Sequence, residues 1–302
     1  MKRKRFAIGL IIAVTYAGLL FIQIDATSNN SIQKARVNLG RYLFYDTKLS
    51  YNQTKTCVSC HDPSMAFTDG YRTSSGADGF NLKHNAISLL NVKYRSTYTW
   101  ANPTIKTLKA QLQFPFFNEH PKELGWKGNE QTILNRFLND RKYQKLFKQA
   151  FPQQNNPFQL ANIQTAIIAF EEQLVAYNSK YDWYLKGKME MFTQEEQAGL
   201  ILFSSSRLGC NNCHGWETPF KKDTSLFSNG IRVPSLRNVL LTAPYMHDGR
   251  IEDINGVLEY YSQKNSLYLT NKEKKQIISF LYALTDTSYL SNKELLNPFQ
   301  YQ

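Results

Sequence analysis

The chain opens on a basic cluster, Met1-Lys2-Arg3-Lys4-Arg5, and then runs apolar from Phe6 to Ile22. A basic flank before an apolar run reads as an export signal, and a buried core helix would have no use for the flank. The run is longer than a signal core of ~7–15 residues and just short of the ~20 that span a bilayer. Residues 1–26 therefore fit a cleaved signal peptide or an N-terminal anchor, with Ile24-Asp25-Ala26 a poor cleavage site. Beyond them the pattern is helical. One helix is expected over about 131–150. Another is expected over about 160–178, where Ile163, Ala166, Ile167, Phe170, Leu174 and Val175 recur at helical spacing. Asn178-Ser179-Lys180 interrupts that pattern, and a domain boundary is expected near 185–192. Thr193-Gln194-Glu195-Glu196 and Thr270-Asn271-Lys272-Glu273 are capping boxes, the second opening a last helix with Ile277, Ile278, Leu281 and Leu284 inward. Strand alternation is scarce. Segments 62–85, 101–128 and 215–235 are long loops rich in Gly, Asn, Ser and Pro, the kind that carry sites on a helical scaffold.

Composition adds little beyond class. In 302 residues, 42% are hydrophobic and 20% charged, which is globular rather than disordered. The formal charge is +12; residues 1–26 hold four positive charges and Asp25, leaving +9 on the remainder. A basic surface suits an acidic partner or nucleic acid, but no nucleic-acid module is present and a solvated lysine-rich surface is the better reading.

The four cysteines change the picture. They occur as Cys57-Val58-Ser59-Cys60-His61 and Cys210-Asn211-Asn212-Cys213-His214, so each belongs to a C-x-x-C-H motif. This is the pattern of c-type haem attachment. Two thiols on one turn form thioethers to one macrocycle, and the adjacent histidine ligates its iron. A redox dithiol does not require the histidine twice, a four-cysteine zinc site leaves both histidines unexplained, and two disulfides would be unremarkable in an exported protein. The motif histidines lie 153 residues apart, which suggests one haem per domain.

Around these motifs the chain resembles a known family. Leu39-Gly40-Arg41-Tyr42-Leu43-Phe44-Tyr45-Asp46 precedes the first motif; Pro234-Ser235-Leu236-Arg237-Asn238-Val239 and Thr242-Ala243-Pro244-Tyr245-Met246-His247-Asp248-Gly249 follow the second. Over about residues 35–285 it is similar to the bacterial di-haem cytochrome c peroxidases. Ala66-Phe67-Thr68-Asp69-Gly70, Thr99-Trp100-Ala101-Asn102-Pro103 and Glu119-His120-Pro121-Lys122-Glu123-Leu124-Gly125 resemble their MauG/MbnH-like branch.

The resemblance implies a mainly α fold with two cytochrome c-like haem domains, 31–187 (peroxidatic) and 188–302 (electron-transfer), packed around an interface with long ordered loops. It implies two covalent haems, on Cys57, Cys60 and His61 and on Cys210, Cys213 and His214. It makes Trp100 an inter-haem relay, Glu123 the distal carboxylate, and Asn85, Thr242 and Pro244 the holders of a calcium ion. Tyr261, twelve residues after Gly249, stands where ordinary di-haem peroxidases have methionine and MauG-like enzymes have tyrosine. A phenolate is a hard donor that lowers the potential of its iron. The competing reading makes Tyr260 and Tyr261 packing aromatics.

There are departures too. The loop from Tyr71 to Leu82 lacks the distal histidine of conventional members, so the first haem is expected to be open without reductive activation. His84 stands where the family usually has arginine and is not assigned as a ligand. His120 rivals Glu123 as an acid–base group, His247 is read as structural or packed at a haem edge, and Met65 and Met246 are read as core residues. The expected function is a periplasmic MauG-like enzyme that uses hydrogen peroxide to oxidise a partner protein. The alternatives are a peroxidase drawing electrons from a small redox protein and a non-catalytic di-haem electron carrier. Membrane contact is expected only through the N-terminal segment.

Overall fold

The computed structural model describes residues 29–215 and 227–300. The expected export segment lies outside them. The architecture is mainly α, as expected. The first half runs through α1 (29–45), α2 (Leu108–Gln111), α3 (Gln113–Phe117), α4 (Glu130–Leu138), α5 (Arg141–Ala150) and α6 (Leu160–Glu171). The second contains α7 (Lys180–Leu185), α8 (Gln194–Ser204), α9 (Cys210–Cys213), α10 (Ile254–Lys264) and α11 (Asn271–Ala283). The described strands are a two-residue pair, Phe227–Ser228 against Ile231–Arg232, turned by Asn229 and Gly230, both at positive φ. No described helix is long and apolar enough to cross a membrane.

Two of the expected helices differ in extent. The helix over 131–150 is two helices, because the Asp140 carboxylate accepts from the Lys142 and Tyr143 amides and restarts the chain as α5. The helix over 160–178 ends at Glu171. Beyond it Leu174 O accepts from Asn91 N, and Ala176 exchanges two bonds with the Asn91 side chain, so the backbone runs on in another shape. Both expected capping boxes form, at Thr193 and Thr270.

Each half is organised by one helix crossing at a glycine. A Cβ on Gly40 of α1 would sit 1.8 Å from Ala166 O of α6; one on Gly199 of α8 would sit 2.0 Å from Gln276 O of α11. Only glycine allows two backbones this close. One turn further along, the same pairing recurs in both halves. Phe44 packs on Phe170 with ring centroids 5.1 Å apart, and Phe203 on Phe280 at 5.2 Å. The halves are thus built on one device, with Gly-x-x-x-Phe on the first helix facing x-x-x-x-Phe on the last. The first crossing carries a core of Leu39, Leu43, Phe116, Trp126, Phe137, Phe147 and Ile163, all at 0% exposure. The second carries Tyr181, Phe203, Leu258, Ile277, Phe280 and Leu281.

The halves are tied by the end of the chain. Tyr289 and Leu295 join Phe44, Phe67 and Phe170 in one core. Tyr45 Oη donates to Leu295 O, Arg41 to Leu296 O, and Tyr289 Oη to Pro63 O. The tail therefore lies on the first half although it follows the second. A buried, bidentate Arg237–Asp182 pair at 2.7 and 3.0 Å fixes α7 to the segment after the second haem motif.

Gly40→Ala and Gly199→Ala should each lower stability by about 1–3 kcal/mol, because the added methyl has nowhere to go. Urea unfolding of the holoprotein measures this, and each change should first disturb the haem spectrum of its own half.

Candidate functional site

The α1–α6 crossing places the turn that follows α1. Thr56 bonds back to Phe44 O and forms a capping box with Ser59, which starts the 3-10 turn Cys57–Ser59. His61 comes next, and its Nδ1 lies 2.9 Å from Phe67 O. That carbonyl is held deliberately. Ala66 and Phe67 are both at positive φ, costing on the order of 1–3 kcal/mol each for residues with side chains. The cost is offset by Asp62, which caps the turn through Ser64 N, by the Asp62–Thr68 bridge, and by the fully buried Phe67 ring against Phe44 and Tyr289. The second half repeats the arrangement, with His214 Nδ1 3.2 Å from Pro234 O. A neutral imidazole that donates from Nδ1 presents the Nε2 lone pair to a metal. Burial holds both histidines below their usual pKa, which keeps them neutral and able to ligate.

Each histidine faces a cavity. The first, of about 420 Å³, is lined by Cys57, Cys60 and His61 together with Trp100, Glu123 and Glu171. The second, of about 570 Å³, is lined by Cys210, Cys213, His214 and Tyr261, with Trp100 again on its wall. The four thiols are unpaired, and burial raises the pKa of Cys57, of Cys60 (to about 11) and of Cys210. Those three are therefore not the low-pKa thiols of a redox dithiol. Among the described residues no group of three His, Cys, Asp or Glu could hold a bare metal, so the two motifs do not meet as a zinc site.

The residues fit haem on three counts. Each cavity has a cysteine pair and an oriented imidazole. Each is largely apolar. Each also contains a buried guanidinium: Arg95, which donates to Ser88 O and Leu90 O, in the first, and Arg232 in the second. Such cations suit the two carboxylates that a haem brings. Neither arginine stood out in the sequence, where a lone arginine carries no pattern.

The other expected residues fall into place unevenly. Glu123 lies on the first cavity's wall, and Asn118 Nδ2 donates to its Oε1 at 3.4 Å. Burial pushes its pKa up to about 7. His120 lines the same cavity. Trp100 is 9% exposed; its Nε1 donates to Asn85 O at 2.8 Å, and its own carbonyl accepts from Arg232 N at 2.7 Å. Tyr261 projects from α10, which Asp253 caps through Gly256 N. Burial raises its phenol above the usual range, with Tyr260 and the motif sulfurs adding to the rise, so a cation at that place would be needed to remove its proton. Tyr260 lines the cavity too, with Arg250 and Lys264 over its ring.

Asn85 N donates to His247 O, and its side-chain amide donates to Tyr71 O, which sets it beside the turn that holds Thr242 and Pro244. Thr242 spends its hydroxyl on Val239 O. Calcium there would have carbonyl and amide oxygens but no carboxylate among the expected ligands, and would need water to reach its usual ~6–8 donors. His84 lines the first cavity and His247 the second; their rings are 5.7 Å apart, and His84 Nδ1 is buried with no hydrogen-bond partner among the described residues. Met246 lines the second cavity, whereas Met65 is 40% exposed, against Gly70 rather than in a core. The residue that sequence reasoning missed altogether is Glu171, fully buried on the first cavity's wall. Its only trace was its place at the end of an apolar helix.

Residues 34–190 match the family model of di-haem cytochrome c peroxidase. The chain is 31% identical to cytochrome c551 peroxidase of Nitrosomonas europaea over 82% of this chain and 79% of that protein. It is 25% identical to the methylamine utilization protein MauG of Methylophilus methylotrophus over 86% and 85%. Among solved structures, a MauG-like protein associated with microbial copper homeostasis superposes with a TM-score of 0.81 at 32% identity, covering 88% of this chain and 93% of that one. With its two histidine-faced cavities and this likeness along most of its length, the chain belongs to the di-haem cytochrome c peroxidase family, as a peroxidase-type oxidoreductase of two c-type haems.

Proposed function

We propose that the protein is a periplasmic MauG-like enzyme that uses hydrogen peroxide to oxidise an aromatic side chain of a partner protein. The observation that carries this reading is Trp100, one buried indole on the walls of both cavities. When bound, the haem on Cys57, Cys60 and His61 supplies peroxide reduction, and the haem on Cys210, Cys213 and His214 supplies storage of an oxidising equivalent. The chain's own residues do the rest. Glu123, poised near neutrality, takes a proton from one peroxide oxygen and returns it to the other, and Asn118 orients it. Trp100, fixed by its bonds to Asn85 and Arg232, gives an aromatic link between the two sites. Tyr261, on the wall of the second cavity, is the proposed second ligand there, because a phenolate is a hard donor that favours oxidised iron. Asn85 with the Thr242 and Pro244 carbonyls is the proposed calcium site, beside Trp100. The export segment at residues 1–26 supports the periplasmic assignment.

A second reading, a peroxidase fed by a small redox protein, is favoured by the 31% likeness to cytochrome c551 peroxidase. Steady-state peroxide turnover with reduced cytochrome c separates the two: fast turnover supports the second reading, and slow turnover with oxidation of a co-expressed partner supports the first.

Three outcomes are expected. The fully ferric protein should react with peroxide without prior reduction, and its EPR spectrum should show one high-spin and one low-spin haem; two low-spin haems would end the open-site reading. Tyr261→Met should raise the potential of the second haem, measured by spectroelectrochemistry, and an unchanged potential removes Tyr261 as its ligand. Glu123 acts as a base, so the rate constant with peroxide should rise with pH through about 7. Glu123→Gln should lower that constant by roughly 10²–10⁴ and abolish the rise.

A further inference from the structure

The proposed reaction leaves one carboxyl group without a task. Glu171, the last residue of α6, is 4% exposed and lies on the first cavity's wall with Cys57, His61 and Arg95. Its Oε2 is buried and has no hydrogen-bond partner among the described residues. A buried carboxylate without a partner is costly, so the group keeps its proton. Burial pushes its pKa up to about 8; Glu172 beside it adds to the rise and Arg95 opposes it from a distance. Its field reaches the Cys57 sulfur, where the macrocycle is attached.

We infer that Glu171 is the redox-linked proton site of the first haem, protonated while that iron is reduced and deprotonated when it is oxidised. The inference rests on that haem occupying the cavity on His61. Each electron leaving the iron is matched by one proton leaving the Glu171 carboxyl, so the charge enclosed in the cavity stays constant. The coupling is strong because both charges sit in a poorly screened interior, where a charge gained at the iron favours the carboxylate.

The other groups around Glu171 can be told apart from it. Glu123, His84, His120, Lys55 and Lys83 are other ionisable side chains on the same cavity wall, with Arg95. Tyr98, also on that wall, is held above its usual range by burial. α2, packed on α6, brings Lys109, which is exposed.

The test is spectroelectrochemistry of the full di-haem protein from about pH 6 to about pH 10. The first haem's potential should fall tenfold in equilibrium per pH unit, about 59 mV for one electron, across a window around 8. Glu171→Gln should remove that slope, and Glu123→Gln should leave it. Redox-difference infrared spectra of the wild type should show a protonated carboxyl stretch lost on oxidation. That band should be absent in Glu171→Gln and displaced in Glu171→Asp, which serves if the glutamine variant fails to fold. A wild-type potential independent of pH in this window overturns the inference, and so does a slope unchanged in Glu171→Gln, which assigns the proton to a propionate or to Glu123. A protein whose mass shows no haem on Cys57 and Cys60 would instead overturn the cavity assignment beneath it.

Discussion

In each half two helices meet backbone to backbone, and the rest of the site depends on that contact. Gly40 lies against the Ala166 carbonyl and Gly199 against the Gln276 carbonyl. A side chain at either glycine would separate the helices by the width of a methyl group. Because they touch, the chain leaving α1 reaches Cys57 over the end of α6, and the chain leaving α8 reaches Cys210 beside α11. The phenylalanine pairs one turn along, Phe44–Phe170 and Phe203–Phe280, then lock the crossing with buried area instead of backbone contact. The same geometry delivers Glu171 to the cavity wall, as the residue that follows Phe170.

From this frame the imidazoles inherit their direction. A ligand histidine needs its far nitrogen held, and in both halves a backbone carbonyl does this, from Phe67 or Pro234. A carbonyl cannot take up a proton, so the histidine tautomer does not change with pH as it would opposite a carboxylate. In the first half the carbonyl is available only because two residues with side chains accept a left-handed conformation. The aromatic cluster of Phe44, Phe67 and Tyr289 outweighs that strain, and Tyr289 comes from the chain's last segment. The end of the chain thus supports the carbonyl that orients His61.

Acid–base character follows from where burial falls. Glu123 and Glu171 line one cavity, and both are raised mainly by desolvation, but one has an amide donor and the other has none. Deeper burial and the neighbouring Glu172 lift Glu171 further, whereas the Asn118 amide holds Glu123 nearer neutrality. Among the described residues no carboxylate lines the second cavity; its ionisable lining groups are His214, His247, tyrosines, the motif thiols and cations. Proton chemistry is therefore concentrated in the first half, with Trp100 between the halves.

The sequence by itself made the two C-x-x-C-H motifs legible. Cys57, Cys60 and His61, and Cys210, Cys213 and His214, stand out because the pattern of haem attachment is local: two thiols and an imidazole within one turn. Helix starts at Thr193 and Thr270 were legible for the same reason, since a capping box closes within four residues. The resemblance placed Trp100, Glu123 and Tyr261, but not what surrounds them. Only the tertiary structure decided that Trp100 borders both cavities, that Asn91 ends α6 by taking over the hydrogen bonds of residues 174–176, and that Asn118 reaches Glu123. It alone singled out Glu171 and Arg95, which no spacing distinguishes from surface residues. A motif is a contact between neighbours in sequence, whereas burial is a sum over distant segments, and a carboxyl group's pKa depends on that sum.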